Sequence, residues 1–405
     1  MNSDINIFVA IPVMNESKNI SNLIKNIFNQ TYKNYQIVLC INQPDSWWND
    51  KDKIEICTDN QITIKYINSL NNKDIHLIDK SSKGKGWTGK NFGVGWARKI
   101  TMDYIAEIAS DYDIIISIDA DTQIESNYFE SIISSFNTHK KSIAISIPYY
   151  HKLTDDNKLN RSILRYEIYM RNYSLNLWRI NNPYHFTALG SAISLPVWAY
   201  KKIGGLSPVK SGEDFYFLQK LSKTGFVLNW NPVKVYPEAR YSDRVFFGTG
   251  PALIKGSKGD WKSYPIYHYS LFDKIGELFG LFGKIYYDNL NNKDIEFLKN
   301  FSIDKDWWLN LKTNFKTETH FVKACYEKFD ALKILQFLKE NQNYINKTDE
   351  ECLIEYFEKF HNNYYTNLNL KKFNFDSTSI EQLDEIRNFL VKKEEEYQKK
   401  NIIIQ

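Results

Sequence analysis

The sequence predicts an α/β fold: a Rossmann-like mixed sheet with helices on both faces, followed by an α-helical C-terminal region. Three observations carry this. Apolar runs of strand length alternate with helix-period segments over residues 5–245. One of these runs, Asp113–Thr122, ends abruptly in two carboxylates, Asp119 and Asp121. Beyond Gly283 the chain has neither glycine nor proline and turns to Lys, Glu, Asn and aromatic residues with helical periodicity. A chain of 405 residues can bury a sizeable core. The expected division is a catalytic domain over 1–268 and a helical domain over 269–405.

The elements follow in order. Ile5–Val13 reads as a first strand, and Ser17 as the cap of a helix to about Gln30 with apolar positions at Ile20, Leu23, Ile24, Ile27 and Phe28. Tyr35–Ile41 is a second strand, completing a βαβ unit. Residues 42–60 read as a loop or short helix, and Ile62–Ile67 and Ile75–Ile78 as further short strands. The Gly- and Lys-rich stretch 80–95 can bring backbone N–H groups to a phosphate, or serve as a plain surface connection. It leads into a helix over Val94–Ala109. The central strand is followed by a helix over Tyr128–Asn137 and a strand over Ser142–Pro148. Asn160–Ile180 reads as an amphipathic helix with Arg161, Arg165, Arg171 and Arg179 on a solvated face, acceptor contact being the minority reading. Gly190–Ile193 reads as a strand of small residues, and Phe215–Ser222 as a helix capped by Gly225.

The central strand carries the chemistry. Ile114, Ile115, Ile116 and Ile118 suit a strand buried on both faces. At its end, residues two apart project to one side, so Asp119 and Asp121 can face one object. Two anions that close call for a cation, and hard oxygen ligands suit Mg²⁺ or Mn²⁺. On the tripeptide alone, solvated turn residues after a core strand are slightly favoured; two other readings meet mismatches. A haloacid-dehalogenase phosphatase wants Thr or Val where Gln123 stands. The near-P-loop Gly84–Asn91 lacks the hydroxyl that would hold Mg²⁺, because its last residue is Asn91.

The formal net charge is +4 with both signs interspersed, so no nucleic-acid partner is indicated. Aromatic content of 15% gives platforms for sugar rings as well as core. Cys40, Cys57, Cys325 and Cys352 show no metal-ligand spacing, and Cys40 reads as a small buried hydrophobe. With no basic-apolar leader and no membrane-length run, the expected location is cytoplasmic, peripheral at the inner face of the membrane if the protein touches one.

Five short motifs occur in an order and spacing that resemble the family 2 glycosyltransferases with the GT-A fold, of the bacterial, soluble, non-processive kind. They are Ile11-Pro-Val-Met-Asn-Glu16, Gly89-Lys-Asn-Phe-Gly93 with Ala97, Ile118-Asp-Ala-Asp121, Gly204-Gly-Leu206 and Gly212-Glu-Asp214. The Gln-x-x-Arg-Trp signature of processive synthases is missing. The resemblance covers residues 5–245 and implies a nucleotide-diphospho-sugar donor, with a UDP-sugar favoured. It places Pro12, Asn15 and Glu16 beside the nucleotide, Lys90 near it, Asp119 on the ribose side and Asp121 on the metal. Gly190 and Ser191 fall against the donor sugar. Asp214 falls where the family has its catalytic base, with Glu213 as neighbour or acceptor ligand. Asp243 takes the place of a family His near the metal, as a third ligand or a plain loop residue. Where the family shows paired acids after the second strand, this chain has Asn42. Asn42 or Asp79 is then the candidate to read the base.

Such an enzyme would transfer a sugar to a hydroxyl, inverting and metal-dependent, in surface glycan or polysaccharide synthesis. Its acceptor would be a glycan or a lipid-linked glycan. Residues 246–261 read as a mobile loop closing over the donor through Lys255 or Lys258. Leu271–Tyr287 is suited either to lie on a membrane or to pack between the domains. A nucleotidyltransferase of the same sheet type, or a non-catalytic sugar-nucleotide-binding protein, are the alternatives.

Overall fold

A computed structural model describes residues 5–243, 248–299, 301, 307–368 and 373–404. The chain divides into two compact units. The first comprises Met1–Tyr166, Phe186–Trp261 and Gln398–Gln405; the second comprises Glu167–His185 and Lys262–Tyr397.

The first unit is built on β1 (Ile7–Val13), α1 (Ile20–Phe28), β2 (Tyr35–Asn42), α2 (Ile54–Ser69), β3 (Ile75–Lys80), α3 (Val94–Ile108), β4 (Ile114–Ser117), β5 (Gln123–Ile124), α4 (Tyr128–Thr138) and β6 (Ser142–Ser146). There follow α5 (Asn157–Arg179), whose second half belongs to the other unit, then β7 (Ile193–Pro196), α6 (Val197–Lys202), α7 (Glu213–Thr224), β8 (Phe226–Leu228), β9 (Val235–Tyr236) and α8 (Thr249–Gly256). Seven strands form one mixed sheet in the order β3-β2-β1-β4-β7-β6-β8, and β5 pairs with β9 apart from it. β1 runs parallel to both β2 and β4, whereas β7 enters antiparallel between β4 and β6. All seven β1 residues are buried, as a strand covered on both faces requires. With β2 and β3 on one side of β1 and β4 on the other, a crevice is expected past the carboxyl ends of β1 and β4. Glu16 and Asp119 follow those two ends.

Several expected elements differ. Ile62–Ile67 is helix, the second half of α2, with Ile67 buried and Ile62 exposed. The stretch is β-branched, but one face meets the core at helical spacing and tertiary burial outweighs propensity. Ser17 caps nothing: α1 starts after Asn19, and the Ser17 amide donates to Asp59 Oδ1 at 3.1 Å. The strand read at Gly190–Ile193 begins only at Ile193. Gly225 ends α7 in extended backbone, so its role is space: a Cβ there would lie 2.9 Å from the Ile143 side chain. Of the expected loop 246–261, residues 246–247 lie outside the described residues and 249–256 form α8.

The second unit is helical: α9 (Tyr269–Tyr286), α10 (Asn292–Lys299), α11 (Trp307–Asn314), α12 (Glu318–Lys328), α13 (Ala331–Gln342), α14 (Asp349–Phe360), α15 (Asn362–Leu368) and most of α16 (Ile380–Ile404). The apolar face of α9 is its core. Leu271, Phe272, Ile275, Leu278, Leu281, Phe282 and Ile285 are buried, and Phe279 and Phe282 meet Tyr326 of α12 edge-on. Laying this face on lipid would expose side chains whose burial is worth about 1.5–3 kcal/mol each. The helix is therefore occupied within its own unit. Among the described residues no helix is long and apolar enough to cross a membrane. Nor are the α5 arginines a solvated row: Arg171 is buried and bonds Glu167 and Glu394, Arg179 pairs with Asp273, and Arg165 lies over the Trp261 ring.

Candidate active site

Two arginines organise the crevice, and neither was singled out by its sequence. Arg98 lies one position after Ala97 on α3, on the stripe it shares with Thr101, Met102 and Ile105, and is 1% exposed. A guanidinium buried that far needs acceptors for its charge and its N–H groups. It has them: Nη2 donates to Asp119 Oδ1 (2.8 Å), Nε to Glu213 Oε1 (3.1 Å), and Nη1 to the Gly190 carbonyl (2.9 Å) and to Ser117 Oγ. Burial alone would ease its deprotonation, but the carboxylates of Asp119 and Glu213 outweigh it and hold the proton more firmly than usual. Arg98 therefore ties the end of β4, the turn before β7 and the head of α7 to one point.

That point explains the small residues read as room for a sugar. Gly190 gives Arg98 its carbonyl, and a Cβ on Gly190 would fall 2.3 Å from Arg98 Nη2. Ser191 is buried beside it. Here the missing side chain makes room for the arginine.

Glu213 and Asp214 open α7, after Gly212 at φ 79°, a left-handed turn that favours glycine. The Asp214 carboxylate accepts from the Phe215 amide at 2.8 Å. Burial raises Asp214 above the ordinary aspartate range, Arg98 opposes this, and Asp119 adds to the rise. Burial likewise raises Glu213, to about 7, against the pull of Arg98. The pair sits in a helix N-terminal field that favours anions, yet deep enough to hold protons more tightly than in water.

Arg240 organises the other half. Its Nη2 donates to Asp121 Oδ2 and Glu16 Oε1, and its Nε lies 3.5 Å from Glu238 Oε2. Asn19 joins Glu16 to Glu238, its amide donating to each at 3.0 Å. Asp121 and Glu16 are thus brought together, as expected of the ends of β1 and β4. Asp243 is exposed, and among the described residues no three His, Cys, Asp or Glu side chains gather into a metal-holding group. The structure does not assemble Asp119, Asp121 and Asp243 as a triad. Asp121 is only 15% exposed at its side chain and is met by the Arg240 guanidinium, a stand-in cation. Mg²⁺ or Mn²⁺ commonly binds through one or two carboxylates and takes its other ligands from phosphate and water. The acids present fit that kind of ion, rather than one caged by protein.

The remaining candidates are largely engaged by the protein. Asn42 is buried, donates to the Val13 carbonyl (2.9 Å) and accepts from Trp87 Nε1 (3.2 Å), so both ends of its amide are in use. Burial would raise Asp79, but the Ser82 and Ser81 amides and Lys85 hold it down to about 2. It fixes its own loop. Gly84 and Gly86 donate their amides to Asp45 Oδ1, at 2.7 and 3.3 Å, so the glycine-rich loop is pinned by a carboxylate of the chain. Pro12 is buried in β1, Asn15 adopts φ 58° with its amide on Asn60 Oδ1, and Lys90 is exposed on the loop.

Residues 8–193 match the model of glycosyl transferase family 2. The match includes Glu16, Arg98, Asp119, Asp121 and Gly190 and stops before Glu213, Asp214 and Arg240. A search of curated proteins finds no match. Among solved structures the chain is similar to S. aureus TarS 1-349 in complex with UDP-GlcNAc, with 12% identity and TM-score 0.40, covering 84% of this chain and 90% of that one. It is also similar to GalNAc-T7 with UDP, GalNAc and Mn²⁺, with 13% identity and TM-score 0.37 over 80% of this chain and 57% of that one. A third is glucosyl-3-phosphoglycerate synthase from Mycobacterium tuberculosis in complex with phosphoglyceric acid, with 13% identity and TM-score 0.33 over 56% and 72%. At such TM-scores these likenesses place no residue of this chain.

Proposed function

We propose, from the premise that residues 8–193 belong to glycosyl transferase family 2, that this glycosyltransferase moves a sugar from a nucleotide-diphospho-sugar to an acceptor hydroxyl with inversion. The observation that carries the reading is the Arg98 junction. It joins Asp119, at the end of the central strand, to Glu213, next to Asp214 at the head of α7. One buried cation thereby holds the donor end of the site and its base in fixed relation.

Asp214 takes the proton of the acceptor hydroxyl. The oxygen bonds to the anomeric carbon from the face opposite the diphosphate, and the bond from that carbon to the diphosphate oxygen breaks with its electron pair leaving on phosphate. Inversion follows from a single displacement. Burial raises Asp214 above the ordinary aspartate range, and its carboxylate is then a better base than an exposed one. Glu213 shares Arg98 and positions Asp214. Asp121 and Asp119 would hold Mn²⁺ or Mg²⁺, which would neutralise charge on the departing diphosphate. UDP is the carrier the family resemblance favours, and a glycan or lipid-linked glycan the acceptor, in a cytoplasmic enzyme of surface-polysaccharide synthesis.

The test is a screen of UDP-, GDP- and dTDP-sugars with Mn²⁺, Mg²⁺ or EDTA. It follows melting temperature and release of free sugar and nucleoside diphosphate, since a ligand that binds only the folded chain raises its melting temperature. One donor should shift the melt and be slowly hydrolysed. Asp214→Asn should keep the shift and lose roughly 10²–10⁴-fold in rate. Release of pyrophosphate from a nucleoside triphosphate and a sugar phosphate would instead identify a nucleotidyltransferase. An Asp214→Asn protein with undiminished transfer would remove Asp214 from the base role.

A further inference from the structure

The first unit also carries a groove of about 430 Å³, the size of a small-molecule site, that the proposed chemistry does not use. One wall is α1, which lines it with Asn22, Asn26 and, at its C-terminal cap, Asn29, with Lys25 among them. The spacing puts the three asparagines on one face of the helix. The other wall is the β5–β9 pair, whose Gln123 and Tyr236 stand opposite each other in register, joined by Glu125 and Lys152. This wall is held by its own contacts. Lys152 Nζ donates to Gln123 Oε1 at 3.0 Å and lies 4.6 Å from the centre of the Tyr236 ring, and the Tyr236 hydroxyl donates to Glu125 Oε1 at 2.8 Å. The two walls are tied by the Ile124 amide, which donates to Asn26 Oδ1 at 3.3 Å. Among the described residues, the side chains of Asn22, Lys25 and Asn29 make no hydrogen bond or ion pair.

The groove lies next to the crevice along the chain on each side. Asn19, three residues before Asn22, donates its amide to Glu16 and Glu238. Gln123 comes two residues after Asp121, and Tyr236 two before Glu238. The lining selects a class of ligand. A side-chain amide offers a donor and an acceptor together, as a row of ring hydroxyls requires, and four amides line this groove. Its one aliphatic residue, Ile124, is buried, so an acyl chain or an apolar helix would gain little there. Two ammonium groups stand against one carboxylate, too even a balance to favour a polyanion. We infer that the groove is an acceptor subsite for a neutral, hydroxyl-rich glycan. Asn22, Asn29 and the Asn26 Nδ2 group bond its hydroxyls, the partly exposed Tyr236 ring meets the C–H face of a sugar, and the sugars held there lie beyond the one whose hydroxyl reacts. The inference rests on the glycosyltransferase reading above.

The test presents the full chain to an array of defined neutral, carboxylated and phosphorylated oligosaccharides. At least one neutral glycan should retain the unaltered chain. The double variant Asn22→Ala, Asn29→Ala should bind that glycan about tenfold more weakly, the loss of two neutral hydrogen bonds. Both asparagines are exposed and have no side-chain bond within the chain to lose, so the variant folds as the unaltered chain does. Lys25→Gln removes a charge and keeps a donor, and should leave binding of the neutral glycan nearly unchanged. Retention only on carboxylated or phosphorylated glycans, lost with Lys25→Gln, would overturn the neutral class. No retained glycan, or equal retention of the unaltered chain and the double variant, would overturn the subsite. These results leave the glycosyltransferase reading intact as long as a sugar nucleotide raises the melting temperature of the unaltered chain and is hydrolysed; if none does, both readings fall.

Discussion

Arg98 and Arg240 each hold one aspartate of the same Asp119-Ala-Asp121 turn, yet they belong to different kinds of construction. Arg98 is sealed, its guanidinium shared among two carboxylates, a carbonyl and a hydroxyl from three parts of the chain. Arg240 is part-exposed, and its Nε is buried without a hydrogen-bond acceptor. A guanidinium that is buried and bonded through all three of its nitrogens makes a fixed strut, because any movement exposes an unpaired charge to a low-dielectric interior. A donor left over in a part-exposed side chain makes a group freer to change partners. On this reading the two aspartates meet a structural cation on one side and, on the other, a working cation able to change partners.

The largest expected effect tests that division through stability. Arg98→Met strands Asp119 and Glu213 together and should destabilise the first unit by about 3–5 kcal/mol, seen as a fall in urea midpoint with unchanged slope. Arg240→Met should cost about 1–2 kcal/mol, between the values for exposed and buried pairs. Mn²⁺ should restore the melting temperature of the second variant and leave that of the first unrestored. If the two substitutions cost the same and respond alike to Mn²⁺, the contrast between strut and working cation is wrong.

A smaller effect sharpens it through pH. Burial raises Asp214, with Arg98 opposing and Asp119 adding to the rise. With Asp214 as the proposed base, the rate should climb with pH as Asp214 loses its proton, and the acid limb should lie above that of an exposed aspartate. Asp119→Asn removes a repelling charge and leaves Arg98 more of its field for Asp214. Both effects lower the Asp214 pKa and move the limb to lower pH. A pH profile of kcat/KM for donor hydrolysis reads this shift; a limb that stays put or moves upward would separate Asp119 from the base.

Much of the first unit could be read from its sequence because its strands are apolar runs bounded by turns: β2 runs one residue past its expected end, β1 begins two residues late, and β4 stops at Ser117, so Asp119 and Asp121 lie on a turn beyond it and meet different arginines. Ile62–Ile67 misled because a β-branched run has the same local preference whether or not its neighbours let one face of a helix meet the core. The acids were legible because two carboxylates at the end of an apolar run stand out. Arg98 was not, since one arginine among exposed and buried helix positions looks like any surface charge. Its signal was the stripe it shares with Met102 and Ile105, where an ordinary solvated arginine would not lie. Asn42 and Asp79 show the converse. Their residue types suit base recognition, but which hydrogen bonds they already make depends on Val13, Trp87, Ser82 and Lys85, and only the folded chain brings these together.

The smallest effect falls on the rim of the Arg240 cluster. Glu238 has its side chain 44% exposed, lies 3.5 Å from Arg240 Nε and accepts from Asn19. An exposed pair at that distance contributes within about 0–1 kcal/mol to stability, so Glu238→Gln should leave the melting temperature nearly unchanged. Its charge nevertheless opposes an incoming diphosphate. Removing it should strengthen pyrophosphate binding modestly, by about twofold at low ionic strength, and the gain should fade as salt screens it. A Glu238→Gln variant that binds pyrophosphate more weakly at every ionic strength would mean that Glu238 positions Arg240 rather than merely repelling its ligand. The rim would then belong to the working cation instead of standing outside it.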